Sequence, residues 1–290
     1  MSSPLLLLLL TSCLRLAQSV PFPKEREKRS SYWVKSAQET LRQNLAKDLP
    51  ATKPARNVIL FLGDGMGPTV VTAGRIYRAQ TDNLESDQYP FVWERFPFTG
   101  LAKTYSVDRH TTDSASAANA FLSGVKTQHR TIGVGSEVTP GDCAAALTYP
   151  RDSIAAWTLR KGKRAGLVTN TRITHATPSA LYAHSADRWW ESDSDKAEEA
   201  TQCKDIALQL VEDFPGTNLT VIFGGGRKKF LPEWKIDQES MRNGNRLDGD
   251  LIADWIGRRP GRRFVSRKEQ MLTIDPSLTD QVLGSAFNLQ

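Results

Sequence analysis

Apolar and polar positions along the 290-residue chain alternate between two periods, and that alternation predicts an α/β fold. Positions 5–10 are six consecutive leucines, far short of the ~20 apolar residues a membrane span requires. With the small residues of Ala17-Gln18-Ser19 behind it, this run predicts a secretory signal over 1–19 and one α/β domain over 20–290. Trp33, Val34, Ala37, Leu41 and Leu45 recur at near-helical spacing and predict an amphipathic helix over 31–47. The run Asn57-Val58-Ile59-Leu60-Phe61-Leu62, stopped by Gly63, predicts a strand buried on both faces, with a helix over 69–80 behind it. Further on, the pattern predicts a helix opening at Ser114, a helix over 153–161, a strand over 165–169, a helix over 194–211 and a strand over 219–223. Strands alternating with helices predict a mainly parallel central sheet flanked by helices. In such sheets, functional residues gather beyond the carboxyl ends of the strands.

Composition changes this picture little. A 39% hydrophobic content over this length supplies a sizeable core. The formal net charge of +6 does not mark a nucleic-acid binder, because Lys24, Arg26, Lys28 and Arg29 are interleaved with Glu25 and Glu27, and Arg262-Arg263 flanks no aromatic repeat. An anionic small-molecule substrate fits the same balance. A secreted chain is permitted disulfides, and with Cys13 inside the signal, Cys143 and Cys203 are left as an even pair that is expected to join. Asn218-Leu219-Thr220 is a glycosylation sequon.

Candidate chemistry lies in three places. In Thr112-Asp113-Ser114-Ala115-Ser116-Ala117-Ala118, a polar loop turns into a helix, and Ser114 stands where unpaired N–H groups and the helix dipole attract an anion. Asp113 or Ser114 as a plain helix cap is the competing reading. Asp64, in Gly63-Asp64-Gly65-Met66-Gly67 after the first predicted strand, is placed to hold a metal; a simple Asp-Gly turn is the alternative. Beyond the strand near Thr169 come Thr174-His175-Ala176-Thr177-Pro178, His184 and Arg188. The guanidinium fork of Arg188 suits two phosphate oxygens, against the commoner fate of a surface ion pair.

Taken in order, 57–67, Asp113-Ser114-Ala115 with Gly124-Val125-Lys126, His175-Ala176-Thr177-Pro178, Tyr182-Ala183-His184 with Arg188, and Gly224-Gly225-Gly226-Arg227-Lys228 resemble the alkaline phosphatase family, in its secreted animal branch. The resemblance implies an alkaline-phosphatase-like fold represented by its N-terminal portion, and hydrolysis of phosphate monoesters through a phosphoserine with zinc and magnesium. It implies Ser114 as nucleophile and zinc ligand, Asp64 as a carboxylate shared between zinc and magnesium, Thr177 as a magnesium ligand and Arg188 as the phosphate clamp. His175 falls beside the magnesium site. That branch is similar in having a disulfide where Cys143 and Cys203 stand, in forming homodimers, and in being secreted or anchored at the cell surface.

The chain also departs from the family. Its histidines are His110, His129, His175 and His184, and no segment resembles the Glu-Gly-Gly-Arg-Ile-Asp-His stretch that carries further metal ligands. Residues 283–290 diverge where a Phe-Glu pair belonging to a calcium site is expected, and membrane attachment is not expected to be encoded in this chain. The expectation is a chain with nucleophile and clamp but without the ligands for two zinc sites, poor in catalysis. The alternative is a secreted phosphate-binding glycoprotein without turnover. A Ser-His-Asp hydrolase fits worse, because Ser114 lacks the Gly-x-Ser-x-Gly elbow.

Overall fold

The computed structural model describes residues 55–82 and 90–285, together with 35, 38, 39, 41, 42 and 45. The chain divides into two compact units, 1–101 and 102–290. The signal segment 1–19 lies outside the described residues, as does most of 31–47; the described positions between 35 and 45 are helical and exposed.

In the first unit, helix α1 spans Pro68–Thr81 and begins on a proline, whose missing N–H would have been unpaired there in any case. A 3-10 turn at Val92–Arg95 follows. It is held by the Glu94 carboxylate, which accepts from the Phe91 N–H at 2.6 Å and pairs with Arg75. The run 57–62 is not a strand. Ile59 is 80% and Phe61 91% exposed, and the segment has no regular structure before the turn at Asp64. A β-segment needs a neighbour to satisfy its N–H and C=O groups, and no described residue of this unit forms a ladder with it.

The second unit carries the sheet. Helices α2 (Ser114–Ser123), α3 (Cys143–Thr148) and α4 (Ile154–Arg160) precede strand β1 (Gly166–Arg172). Short helix α5 (Ala176–Ser179) and helix α6 (Ile206–Glu212) lead to β2 (Val221–Gly225). Helix α7 (Leu251–Gly257), β3 (Arg262–Val265), α8 (Lys268–Leu272) and β4 (Gln281–Gly284) complete it. Among the described residues the sheet has four strands in the order β1-β2-β4-β3, all parallel, with Leu167 opposite Ile222, Ile222 opposite Leu283, and Phe264 opposite Leu283. The predicted α/β class with a parallel sheet is therefore the observed one. Leu167, Ile222 and Leu283 share one core with Ile206 and Leu210 of α6, Ile252 and Trp255 of α7, and Ala115, Ala118 and Leu122 of α2. Each aliphatic side chain buried there contributes about 1.5–3 kcal/mol.

The helix predicted over 194–211 is broken. Ser192 and Asp195 cap a 3-10 turn at Asp193–Asp195, and α6 starts only where the Asp205 carboxylate accepts from the Leu208 N–H at 2.9 Å. Acidic and hydroxyl side chains that satisfy backbone N–H groups locally end a helix as readily as they begin one. Between these pieces Cys203 forms the expected disulfide with Cys143, Cα to Cα 5.9 Å. The cysteines stand 60 positions apart, and loop-closure entropy puts the contribution of the bond near 4 kcal/mol. Asn218 of the sequon ends a 3-10 turn, Gly216–Asn218, ahead of β2.

Candidate functional site

Helix α2 is fixed at both ends by local chemistry. Asp113, in extended conformation, is its N-cap and accepts from the Ser116 N–H at 3.1 Å, so Ser114 is the first helical residue. At the other end Gly124 adopts φ 78°, the left-handed conformation that closes a helix at little cost in glycine. The alanines 115 and 118 bury completely and seat α2 against α5. Ser114 itself is half-buried.

The Asp113 carboxylate does more than cap. Arg188 Nη1 donates to it at 3.0 Å, with both side chains largely shielded from water. Burial pushes this carboxyl upward, but the N–H groups of Ser116 and Arg130, the Arg188 guanidinium and the field of His129 outweigh burial and hold it below the usual carboxylate range. Arg188 also lies 3.2 Å through Nη2 from His175 Nε2, and its guanidinium carbon is 5.2 Å from the centre of the Trp189 ring. His175 follows the carboxyl end of β1 and caps α5, its Nδ1 accepting from the Thr177 N–H at 3.5 Å. The structure thus links Asp113-Ser114, Arg188, His175 and Thr177 through one set of contacts, at the end of the sheet where α/β folds place their sites.

The segment bearing Arg188 is held from below by a buried ion pair. Glu191 accepts two N–H groups of Arg172 at 2.7 Å each and the Thr174 hydroxyl at 2.6 Å. Burial raises the Glu191 carboxyl, and Arg172 and Thr174 more than offset it, leaving it lowered. Since Arg172 and Thr174 stand at the carboxyl end of β1, this bidentate pair ties the segment bearing Arg188 to the sheet. A second anchor is Gly133, φ 63°, whose carbonyl meets His184 Nδ1 at 2.5 Å; a Cβ there would lie 2.0 Å from the Ala183 carbonyl oxygen.

Asp64 occupies the exposed turn of the first unit. Among the described residues no group of three or more His, Cys, Asp or Glu side chains is placed to hold a metal ion. No described helix is long and apolar enough to cross a membrane. Sequence reasoning did not single out Arg130, Asp187 or Glu191. Their partners lie 19 to 57 residues away, so no local pattern marks them.

Comparison with known proteins gives this arrangement a family. The alkaline phosphatase family model matches residues 55–287. The chain is similar to tissue-nonspecific alkaline phosphatase of Mus musculus, 41% identical over 294 residues, covering 98% of this chain and 55% of that protein. Against the Gallus gallus counterpart it is 42% identical over 286 residues, covering 95% and 54%. It thus spans about half the length of the curated relatives it matches. Among solved structures, the fold resembles a cold-active alkaline phosphatase from Shewanella sp., with TM-score 0.54, 24% identity, and coverage of 77% of this chain and 44% of that one. With the family model matching well over half of its residues, the chain belongs to the alkaline phosphatase family.

Proposed function

We propose that this chain binds phosphate monoesters at the N-terminus of α2, with Ser114 as the phosphoryl acceptor and Arg188 as the clamp. The observation that carries the reading is the Arg188 contact to Asp113, which ties a guanidinium to the residue immediately before a serine on the first turn of a helix. Asp113 and His175 engage Nη1 and Nη2 of a fork with five N–H donors, and the phosphate draws on the others. In the reaction proposed, the Ser114 oxygen bonds to phosphorus as its proton passes to water, and the bond from phosphorus to the alcohol oxygen breaks, that oxygen taking a proton from water to leave as the alcohol. Water then cleaves the phosphoserine ester, returning Ser114 and inorganic phosphate. Arg188 and the helix N-terminus stabilise the charge on the transferring group, the main demand of phosphoryl transfer.

Zinc and magnesium are the cofactors that family membership implies, with Asp64, Ser114 and Thr177 as their ligands here. A zinc site needs about four donors, chiefly nitrogen, sulfur and carboxylate, and the described residues assemble no set of three such groups. The described donors do not fit two zinc sites. Our reading is therefore that these 290 residues hold nucleophile and clamp but turn esters over poorly. An extracellular or cell-surface location, a homodimer and glycosylation at Asn218 complete the reading. One relative's name, a membrane-bound alkaline phosphatase of Bombyx mori, is in keeping with that location.

Hydrolysis of a chromogenic phosphate monoester at alkaline pH, with zinc and magnesium supplied, tests the proposal beside a full-length relative. The expected rate is well below that of the relative, and a comparable rate overturns the claim of poor turnover. The second reading, a phosphate-binding protein without turnover, is favoured by the same lack of a ligand cluster. Turnover separates the two: slow release of the alcohol that Ser114→Ala abolishes supports the enzyme, and phosphate binding without any release supports the binding protein.

A further inference from the structure

Arg130 has a backbone that suits glycine. Its φ of 75° lies in the left-handed region, and the one other described non-glycine with positive φ is Met241, in an exposed loop. A side chain kept in that conformation is strained unless its surroundings over-determine it. The surroundings of Arg130 all lead to the candidate site. Its carbonyl accepts from the Arg188 N–H at 2.8 Å. Its own N–H is among the donors facing the Asp113 carboxylate. Its guanidinium pairs with Asp187, which is 5% exposed, while its Nε is buried without a partner. Two residues on, Ile132 and Ser185 exchange N–H···O bonds of 2.9 and 2.8 Å, so 130–132 and 185–188 run as a short antiparallel pair.

Asp187 completes a clasp around Arg188. One carboxylate oxygen takes the Arg130 guanidinium, and the other accepts from the Trp189 N–H at 3.0 Å. Residue 188 is thus held by its own N–H and by a bridge from 187 to 189, and Arg130 supplies a bond to each. The backbone bonds and the Trp189 N–H bond to Asp187 would survive loss of the Arg130 side chain, but the guanidinium that holds the Asp187 carboxylate in place would not.

We propose that Arg130 is a positioning residue for the phosphate clamp: its left-handed backbone and its pairing with Asp187 fix Arg188 against Asp113 before phosphate arrives. The proposal rests on the reading of Arg188 as the clamp. Preorganisation of this kind raises affinity by removing the ordering cost from the binding step. It also explains why a strained arginine is accommodated where glycine would fit without strain.

The decisive variant is Arg130→Gly, which suits φ 75° and keeps both backbone bonds. Relief of backbone strain offsets part of the loss of the Asp187 pair, so the variant is expected to remain folded at the assay temperature, yet bind inorganic phosphate about tenfold more weakly, the scale of one coupled contact. Asp187→Asn is expected to weaken phosphate to a similar degree, the double variant no further than either single one, and Arg130→Lys to recover part of the loss. Hydrogen exchange at the Arg188 amide is expected to quicken in Arg130→Gly. Unchanged phosphate affinity in Arg130→Gly, or additive losses in the double variant, overturns the proposal. If the unaltered chain binds no phosphate, the functional reading falls. Amide exchange then decides the positioning role alone: faster exchange at Arg188 in Arg130→Gly upholds it, and unchanged exchange overturns it.

Discussion

The segments 57–67 and 113–124 both run into a residue with candidate chemistry, Asp64 in one and Ser114 in the other, yet they meet opposite fates. Around Ser114 every device is satisfied: a cap at Asp113, a left-handed glycine at 124, completely buried alanines at 115 and 118, and a guanidinium on the capping carboxylate. Around Asp64 five successive apolar side chains, 58–62, stand exposed, and the carboxylate sits on an open turn. The difference lies in how far away the partners are. A helix cap is closed by residues three positions apart, whereas a buried strand exists only by virtue of neighbours brought from elsewhere in the chain.

Four substitutions would break or sharpen this contrast. Arg188→Ala has the largest expected effect on stability. It strips the partner from a largely shielded carboxylate, and removing one member of a buried pair costs about 3 kcal/mol or more. Urea denaturation should show that loss, whereas Asp64→Ala should stay within about 0.5 kcal/mol of the unaltered chain. Equal losses in the two would erase the distinction between the segments.

Asp113→Ala comes next: it removes the other member of the same pair together with the cap, so a loss of about 3 kcal/mol is expected. It also carries a pH signature. The Asp113 carboxyl lies below its ordinary value in the folded chain, near 3.9 in an unfolded one. A group of that kind contributes stability that is present above about pH 4 and is lost as pH falls through the folded value. Removing it should flatten the acid limb of a plot of stability against pH. An unchanged acid limb would mean that Asp113 is not held as the contacts indicate.

Ile59→Asp has the smallest expected effect, within about 0.5 kcal/mol, because the side chain it replaces is exposed. A loss above 2 kcal/mol in thermal or chemical unfolding would show instead that 57–62 is buried.

How much of this was legible in the sequence follows the same division. The helix at Ser114, the helix at 69–80, the strands at 165–169 and 219–223 and the parallel sheet they imply were marked by local period, caps and glycines, and all are present within a few residues. The disulfide followed from counting cysteines. The strand at 57–62 failed because an apolar run reports a wish for burial and not the ladder that grants it. The helix over 194–211 failed because Asp195 and Asp205 each serve a nearby turn. At the candidate site, the structure brings Ser114, Thr177 and Arg188, residue types the sequence offers in suggestive company, into one set of contacts. Asp113 was read as a cap, but its tie to Arg188 spans 75 positions. The supports at Arg130, Asp187 and Glu191 left no local trace for the same reason.

The central claim is that phosphate is held where Arg188 meets the start of α2. Calorimetric titration of the 290-residue chain with inorganic phosphate, in the presence of a metal chelator, tests it most directly when run beside Arg188→Ala and Asp64→Ala. The account predicts one saturable site per chain, weakened at least tenfold in Arg188→Ala, the value of about one charge-assisted hydrogen bond, and unchanged in Asp64→Ala. Equal affinity in the unaltered chain and in Arg188→Ala would contradict it.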